Sequence, residues 1–271
     1  MGPLGVIGNI SRDISVYADG RHYELLGGAA LHVARAAAAA GLSAAPVSVI
    51  GTDLAPIHHD PRLTGLDLTA VHIDAQPSCV FRLAYTADGD LDGIECEFGA
   101  AMGLTEHALT VVDRYASLHV CCRRPLDVAR VLRRLAAAGR AFSVDFHLAS
   151  AQQLIQAAAE ALPQARVVFV NAVEFTTLTN HIEPSQLANL VVSNGPRQAT
   201  LLRYGRPVAT AQPPPGPVVE VTGAGDALAG AFLAHLAHGK RAEEALPAAV
   251  AAASQTTRHA DLNISTDGSH R

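Results

Sequence analysis

The chain has 271 residues, of which 49% are hydrophobic and 17% charged, and its formal net charge is −5. This balance is typical of a globular protein with its own core and excludes a disordered chain. The absence of a basic stripe excludes nucleic acid as the main partner. No apolar run reaches membrane-spanning length, so we expect no membrane partner. The four cysteines form no C-x-x-C pair, which indicates a reducing cytoplasm.

The first third of the chain predicts strands, one helix and a hairpin. The predicted elements are a strand at Leu4–Ile7, an extended ribbon at Ser15–Glu24, an alanine-rich helix from Gly27-Gly28 to Gly41 and a strand at Pro46–Ile50. Leu54–Leu63, with two prolines and two histidines, is expected to be a loop. Cys79–Tyr85 and Leu91–Phe98 alternate in polarity around Asp88-Gly89, which predicts a β-hairpin.

From Leu118 onwards, short apolar runs alternate with helical stretches. Strands are predicted at Leu118–Cys121, Ala141–Asp145, Val167–Val170 and Ala188–Val192, and helices at Pro125–Ala138, Ser150–Leu162 and Val173–Thr179. A late hairpin, Gln198–Tyr204 with Pro207–Thr210, precedes two closing helices at about Gly225–His238 and Arg241–Thr257. This alternation predicts an α/β fold with a mostly parallel central sheet and helices on both faces.

The most informative stretch is Thr222-Gly223-Ala224-Gly225-Asp226, between a short apolar strand and a long helix. Its small side chains leave the first N–H groups of the helix free, and the helix dipole favours an anion there. These donors would stabilise the charge of a transferring phosphoryl group. We expect the dipole to hold Asp226 ionised, so that it can take a proton from a hydroxyl. An ordinary glycine-rich helix start is the other interpretation.

Two other phosphate-binding patterns are disfavoured. The chain contains no G-x-x-x-x-G-K-S/T motif, and Gly223, Gly225 and Gly230 do not fit G-x-G-x-x-G. Lys240 is the only lysine and follows Gly239 at a helix end, where a surface role is expected. A P-loop or Rossmann nucleotide site is therefore not indicated.

Several motifs resemble, in the same order, those of the ribokinase-like (PfkB) family of carbohydrate kinases. The resemblance spans nearly the whole chain and is most specific at Thr222–Asp226, which matches the core of the C-terminal signature. The other matching segments are Gly8–Asp13, Gly27–Ala34, Gly51–Asp53, Asn171–Glu174 and Ser193–Gly195. It implies an ATP-dependent kinase with an alcohol acceptor, folded as one domain over residues 1–271. It also implies a small β lid, formed by about 15–24 and 79–98, that closes to exclude water.

The resemblance assigns roles to single residues. It implies that Asp226 is the general base and that the backbone of Gly223, Ala224 and Gly225 forms an anion hole. The implied substrate-binding residues are Asp13, Gly27, Gly28 and His32. The implied ATP-binding residues are Asn171, Ser193, Gly195 and Thr222. Glu174 is implied to organise Mg²⁺ through metal-bound water, an arrangement that suits this ion.

The chain departs from the family pattern at several positions. His32 stands where the family has asparagine, and Arg123-Arg124 occupies the region of a sugar-binding glutamate. An arginine there could meet a carboxylate, a phosphate or a base, which makes Arg123 a candidate substrate-binding residue. A solvated charge at a helix start is the other interpretation. Glu220-Val221 replaces the family's Asp-Thr, which argues against activation by a monovalent cation.

These departures leave the acceptor open. The leading hypothesis is a sugar-like alcohol. One alternative is a nucleoside, phosphorylated by the same machinery. Another is a non-catalytic relative that only binds its ligand. The late helices or the lid could support a homodimer, for which the sequence shows no interface.

Overall fold

The computed structural model describes residues 2–87, 91–147, 150–219, 221–258 and 262. Two sheets carry its strands. In chain order these are β1 (Leu4–Ile7), β2 (Ser11–Tyr17), β3 (His22–Gly27), β4 (Ala44–Gly51), β5 (Val71–Asp74), β6 (Cys79–Tyr85), β7 (Leu91–Glu97), β8 (Ser117–Cys122), β9 (Ala141–Phe146), β10 (Val167–Asn171), β11 (Leu190–Ser193), β12 (Ala199–Arg203) and β13 (Arg206–Ala211).

The α-helices connect and cover these strands. They are α1 (Ala29–Ala39), α2 (Leu104–Val111), α3 (Val128–Ala137), α4 (Ala151–Ala158), α5 (Ala172–Leu178), α6 (Ala224–Ala237) and α7 (Ala242–Thr256). In the described part of the chain, none of the helices has both the length and the apolar character needed to cross a bilayer.

The large sheet has nine strands in the order β13-β12-β11-β10-β9-β8-β1-β4-β5. From β11 to β5 all neighbours are parallel, and only β12 and β13 add antiparallel pairs. Every residue of β1 and β4 is buried, because helices cover both faces. One apolar cluster includes residues of α1, α6 and α7, and the other includes residues of α2, α3 and α4. The predicted α/β fold class is confirmed.

A smaller sheet, in the order β3-β2-β6-β7, stands apart from the large one. Its central pair, β2 and β6, is parallel, while the two outer pairs are antiparallel. The segments expected to form a lid lie in these strands, although the first ribbon extends further, from Ser11 to Gly27. The Asp88-Gly89 turn falls outside the described residues.

The expectation of a loop at Leu54–Leu63 is wrong. The chain forms two 3₁₀ helices, Thr52–His59 and Pro61–Leu63. Leu54 and Ile57 are buried and lie three residues apart, which places them on one side of a helix with three residues per turn. Pro61 fits because it opens the second helix and lacks only a donor that would have no partner there.

Two features of this fold position the functional site. The strand order reverses direction at β1, which lies between β4 and β8, and ligands of open α/β sheets bind at the carboxyl ends of strands beside such a point. Helices α1 and α6 also pack very closely. A Cβ on Gly230 of α6 would lie 2.2 Å from the carbonyl oxygen of Val33, so only glycine permits this approach.

Candidate active site

A cleft of about 800 Å³ lies at the carboxyl edge of the large sheet, and side chains of the small sheet line part of it. Polar residues at neighbouring strand ends enter it in strand order. They are Asn9 after β1, Arg123 after β8, Asp145 in β9, Asn171 in β10 and Ser193 in β11. Four strand spacings span about 19 Å, enough for an acceptor at one end and a nucleotide at the other.

The cleft brings together most residues that the sequence singled out. These are Asp13, Gly28, His32, Arg123, Asn171, Glu174, Ser193, Thr222, Gly223, Ala224, Gly225 and Asp226. Two others lie elsewhere: Gly27 is buried against the Asp13 carboxylate, and Gly195 is exposed after β11. Glu220, which bears on the monovalent cation, falls outside the described residues.

The glycine turn opens α6 and presents its backbone to the cleft. Gly223 is the N-cap of α6 in a left-handed conformation, with φ of 81°. A Cβ there would also lie 2.8 Å from the His32 ring, so this position requires glycine for two reasons. A Cβ on Gly225 would meet nothing within 4 Å, so its backbone faces open space. The N–H of Ala224 donates to the carbonyl oxygen of Val221 over 3.2 Å, whereas the exposed backbone of Gly225 is open to an anion.

Asp226 is buried, with only 7% of its surface exposed, and shares a guanidinium with a second carboxylate. Arg123 Nη2 lies 2.7 Å from Asp226 Oδ1 and 3.1 Å from Asp145 Oδ2. Burial raises the pKa of Asp226 to about 6, although Arg123 opposes this. A pKa of about 6 leaves Asp226 mostly ionised at pH 7, but desolvation brings its pKa closer to neutrality than the ordinary value.

Asp145 is a central site residue that the sequence reasoning missed. Burial alone would raise its pKa, but the Arg123 guanidinium and neighbouring His119 outweigh it and lower the pKa to about 2. The signal was a carboxylate at the end of an otherwise apolar strand, Ala141–Asp145. A charge at such a place is rarely buried without a role.

One end of the cleft is built around Asp13 on β2. Ser11 Oγ donates to Asp13 Oδ1 over 2.6 Å, and burial raises the pKa of Asp13 to about 6. A Cβ on Gly27 would lie 1.9 Å from Asp13 Oδ2, so this glycine makes room for the carboxylate. Burial lowers the pKa of His32 to about 4, so its ring is neutral at physiological pH.

The opposite end of the cleft is built by a capping box at the start of α5. Asn171 Oδ1 accepts from the backbone N–H groups of Val173 and Glu174, each at 2.9 Å, and Glu174 Oε2 accepts from the Asn171 N–H at 2.8 Å. Burial raises the pKa of Glu174 to about 7. The capping box gives Asn171 a structural role. A capping box does not require its glutamate to be buried, so the burial of Glu174 calls for a further explanation.

The wall formed by the small sheet is apolar and was also missed as part of the site. Its side chains come from alternate positions of β6 and β7 and from the residue after β7: Phe81, Leu83, Tyr85, Ile94, Cys96 and Phe98. The signal was the alternation of the hairpin, which places these residues on one face. Tyr85 Oη and Thr222 Oγ1 are 2.9 Å apart, so a hydrogen bond joins this wall to the glycine turn.

Strand-end carboxylates beside a glycine-rich helix start are the arrangement that an α/β phosphotransferase with a hydroxyl acceptor needs. A family model described as pfkB family carbohydrate kinase matches residues 6–267, and the chain belongs to this family. It is thus a kinase of a family that uses ATP.

Three relatives illustrate the similarity. Cytidine kinase from Thermococcus kodakarensis is 29% identical over 257 residues, which cover 89% of this chain and 91% of that protein. The nucleoside kinase of Burkholderia thailandensis, solved with inosine, superposes with a TM-score of 0.81 at 21% identity and covers 94% of this chain and 91% of its own. A protein named ribokinase II from E. coli, solved with ATP and Mg²⁺, has a TM-score of 0.77 at 18% identity, with coverage of 96% and 94%.

Proposed function

We propose that the protein is an ATP-dependent nucleoside kinase in which Asp226 is the general base. The observation that carries the choice of acceptor is the apolar wall of Phe81, Leu83, Ile94 and Phe98, which lines the same cleft as Asp13. A carboxylate can accept hydrogen bonds from ribose hydroxyls, while an aromatic and aliphatic wall suits the face of a base. Two relatives named as cytidine and nucleoside kinases support this choice over a plain sugar.

The proposed reaction needs one proton acceptor and one anion site, and the turn at α6 supplies both. Asp226 takes the proton of the acceptor hydroxyl as the hydroxyl oxygen attacks the γ-phosphorus of ATP. The bond from that phosphorus to the β–γ bridging oxygen breaks, and ADP leaves. The N–H groups of Gly223 and Gly225, joined by that of Ala224 when it turns from the Val221 carbonyl oxygen, stabilise the charge on the transferring group. Arg123 orients Asp226 through their 2.7 Å contact, and the proton later passes to solvent.

The site residues fit the Mg²⁺ that this family implies. Glu174 offers a buried carboxylate beside Asn171 at the nucleotide end, and oxygen donors with retained water suit this hard cation. Since burial raises the pKa of Glu174 to about 7, a cation beside it would favour the ionised form. When bound, the ion supplies charge neutralisation at the phosphate oxygens. We assign Glu174 to hold it through water.

Replacing Asp226 by asparagine tests the assigned base. Asp226→Asn keeps the size of the side chain but removes its ability to take a proton, so we expect kcat to fall at least about a hundredfold while ATP binding changes little. Single-turnover kinetics and nucleotide titration measure the two quantities separately. Unchanged turnover would rule out Asp226 as the base. Absence of turnover in the unaltered protein with every acceptor would favour a non-catalytic relative.

A panel of acceptors tests the substrate class. We expect the highest kcat/KM with nucleosides, and Phe81→Ala should lower that value by about tenfold or more for nucleosides but not for ribose. A matched change outside the cleft is Tyr23→Ala, on strand β3 at the edge of the same sheet. Preference for a plain sugar over all nucleosides would contradict the proposed acceptor and restore the sugar-like alternative.

A further inference from the structure

Three side chains of different chemistry meet inside the large sheet, below the cleft. His119 and Cys121 lie on β8, two residues apart and therefore on one face, and Asp145 pairs with Cys121 on the neighbouring strand β9. His119, Cys121 and Asp145 are 0%, 1% and 5% exposed. One ligand atom from each residue lies within 4.8 Å of the other two. None of these three residues has a role in the proposed transfer beyond the contact of Asp145 with Arg123.

Two polar atoms in this cluster face each other without a hydrogen bond. His119 Nε2 lies 3.7 Å from Asp145 Oδ1, too far for a hydrogen bond. Neither atom has another hydrogen-bond partner among the residues that the structure describes. The rest of the cluster is satisfied, since His119 Nδ1 and Ser143 Oγ are 2.9 Å apart. Buried polar atoms without partners are costly, and here two of them point at one place.

The charge of the surroundings favours a cation at that place. Asp145 and Asp226 are both buried and share the single guanidinium of Arg123. When both carboxylates are ionised, they and the guanidinium together carry one net negative charge. A divalent cation bound with loss of the Cys121 proton would bring the group to neutrality. Burial of charge is tolerated only when it is balanced in this way.

We propose that His119, Cys121 and Asp145 form a binding site for a thiophilic divalent cation of the zinc class. Nitrogen, thiolate and carboxylate ligands together suit zinc, whereas the all-oxygen surroundings of Glu174 suit magnesium. Zinc bond lengths place neighbouring ligand atoms about 3.3–3.8 Å apart in a tetrahedral site. The His119–Asp145 pair already meets this spacing, and because Asp145 lines the cleft, a cation can enter from there.

Occupation of this site would slow phosphoryl transfer. The cation adds positive charge next to Asp145, one contact away from Asp226, and stabilises the ionised form of the base. A carboxylate stabilised in this way accepts a proton less readily. Binding also displaces the proton of the Cys121 thiol to solvent, since the thiolate is the form that binds a metal.

Cobalt(II) titration of the full-length protein tests the site directly, because a thiolate ligand gives cobalt a charge-transfer absorption. The parent protein for this titration carries Cys96→Ser, and so do both variants made from it. Cys79 Sγ and Cys96 Sγ lie 4.0 Å apart and could otherwise bind a thiophilic cation themselves. Cys121→Ser removes the proposed ligand. Cys122→Ser is the matched control, because Cys122 is the next residue, equally buried, and faces the opposite apolar cluster.

We expect the parent and Cys122→Ser to bind one cobalt per chain with the thiolate absorption, and to retain one zinc after gel filtration. Cys121→Ser should lose the absorption and weaken zinc inhibition by at least about tenfold, as loss of contacts at metal sites commonly does. Absence of the absorption in the parent, or its persistence in Cys121→Ser, would overturn the proposal. Equal melting temperatures of both variants exclude misfolding. The titration does not depend on catalysis, so it stands whether or not Asp226 proves to be the base.

Discussion

Arg123 holds two buried carboxylates with one guanidinium, and this contact sets the proton affinity of Asp226. In the free enzyme, Asp226 works only when ionised, so we expect kcat/KM to fall as pH drops through about 6. Arg123→Gln removes the positive charge that lowers the pKa of Asp226, so the acid limb of the profile should move to higher pH. The pH dependence of kcat/KM between 5 and 9, a range of about four pH units, measures this shift.

Arg124→Gln is the matched control for that prediction. Its guanidinium contacts Gln153 and no carboxylate of the network, so the acid limb should stay in place whatever happens to the rate. Asp13 also has a pKa of about 6, and Arg123 is the weakest of the influences on it, so only a small shift of the limb in Arg123→Gln would assign the titration to Asp13 instead of Asp226.

Glu174 illustrates how a functional side chain opposes stability. Its folded pKa of about 7 exceeds the ordinary 4.5, so the protein loses stability as pH rises from 4.5 through 7. Glu174→Gln keeps an acceptor for the Asn171 N–H but removes the buried charge. We expect the free energy of unfolding to increase at pH 8 by at most about 3 kcal/mol, and by much less at pH 5. Urea unfolding at the two pH values measures the difference.

Activity of the same variant separates the two interpretations of the capping box. If Glu174 holds Mg²⁺, Glu174→Gln becomes more stable but loses kcat. A variant that keeps its activity would reduce Glu174 to a cap residue. A fall in stability at pH 8 would contradict the assigned buried charge.

For single residues, the sequence identified which side chains belong to the site, but not how deeply they are buried or which charges surround them. Asp13, Asp226 and Glu174 could be found because local motifs carry them. The raised pKa of Asp226, which the sequence does not show, and the missed Asp145 have one cause. Burial depends on residues far along the chain, and a local pattern does not contain it.

Among the elements, the start of α6 carries the clearest requirement for particular residues. Gly223→Ala forces a side chain into a left-handed conformation and against the His32 ring, so we expect a loss of stability of about 1 kcal/mol or more together with a loss of activity. Gly225→Ala should leave stability unchanged, because its Cβ meets nothing. Its new methyl group would instead narrow the anion site and raise KM for ATP.

Thermal unfolding and steady-state kinetics of both variants check this contrast. Equal destabilisation by the two substitutions would contradict the described turn. If Gly225→Ala bound ATP normally, the anion hole would have to lie elsewhere.

The elements missed from the sequence are short or lie at an edge. β5 forms the edge of the large sheet with only four residues. α2 buries Leu104, Ala108 and Val111, whose spacing of four and three is helical but spans only eight residues. The main strands and late helices could be predicted because they are long enough to show a period.

At the scale of the whole molecule, the hydrogen bond between Tyr85 and Thr222 joins the small sheet to the catalytic turn. We infer that it helps the sheet exclude water during transfer. Tyr85→Phe keeps the ring stacked on Tyr17, at 4.9 Å between centroids, but removes the hydroxyl. Since a hydrogen bond contributes about 0.5–1.5 kcal/mol, we expect the ratio of ATP hydrolysis to acceptor phosphorylation to rise about two- to tenfold.

Parallel assays of ADP and phosphorylated product measure this ratio. Tyr23→Phe, on β3 of the same sheet, is the control and should leave the ratio unchanged. An unchanged ratio in Tyr85→Phe would mean that this bond does not help to exclude water. The sequence predicted both β6–β7 and the first ribbon, but not the parallel pairing of β2 with β6, because those strands are distant in the chain.

The close packing of α1 against α6 has a consequence for synthesis on the ribosome. Val33, Ala34 and Ala37 emerge early, and they stay uncovered until the late helix with Gly230 follows. A nascent chain therefore carries an apolar helix face through most of its translation, which makes it a substrate for chaperones and proteases. Because Asp226 arrives on that same late helix, the enzyme gains its proposed base and covers this face in a single step near the end of translation.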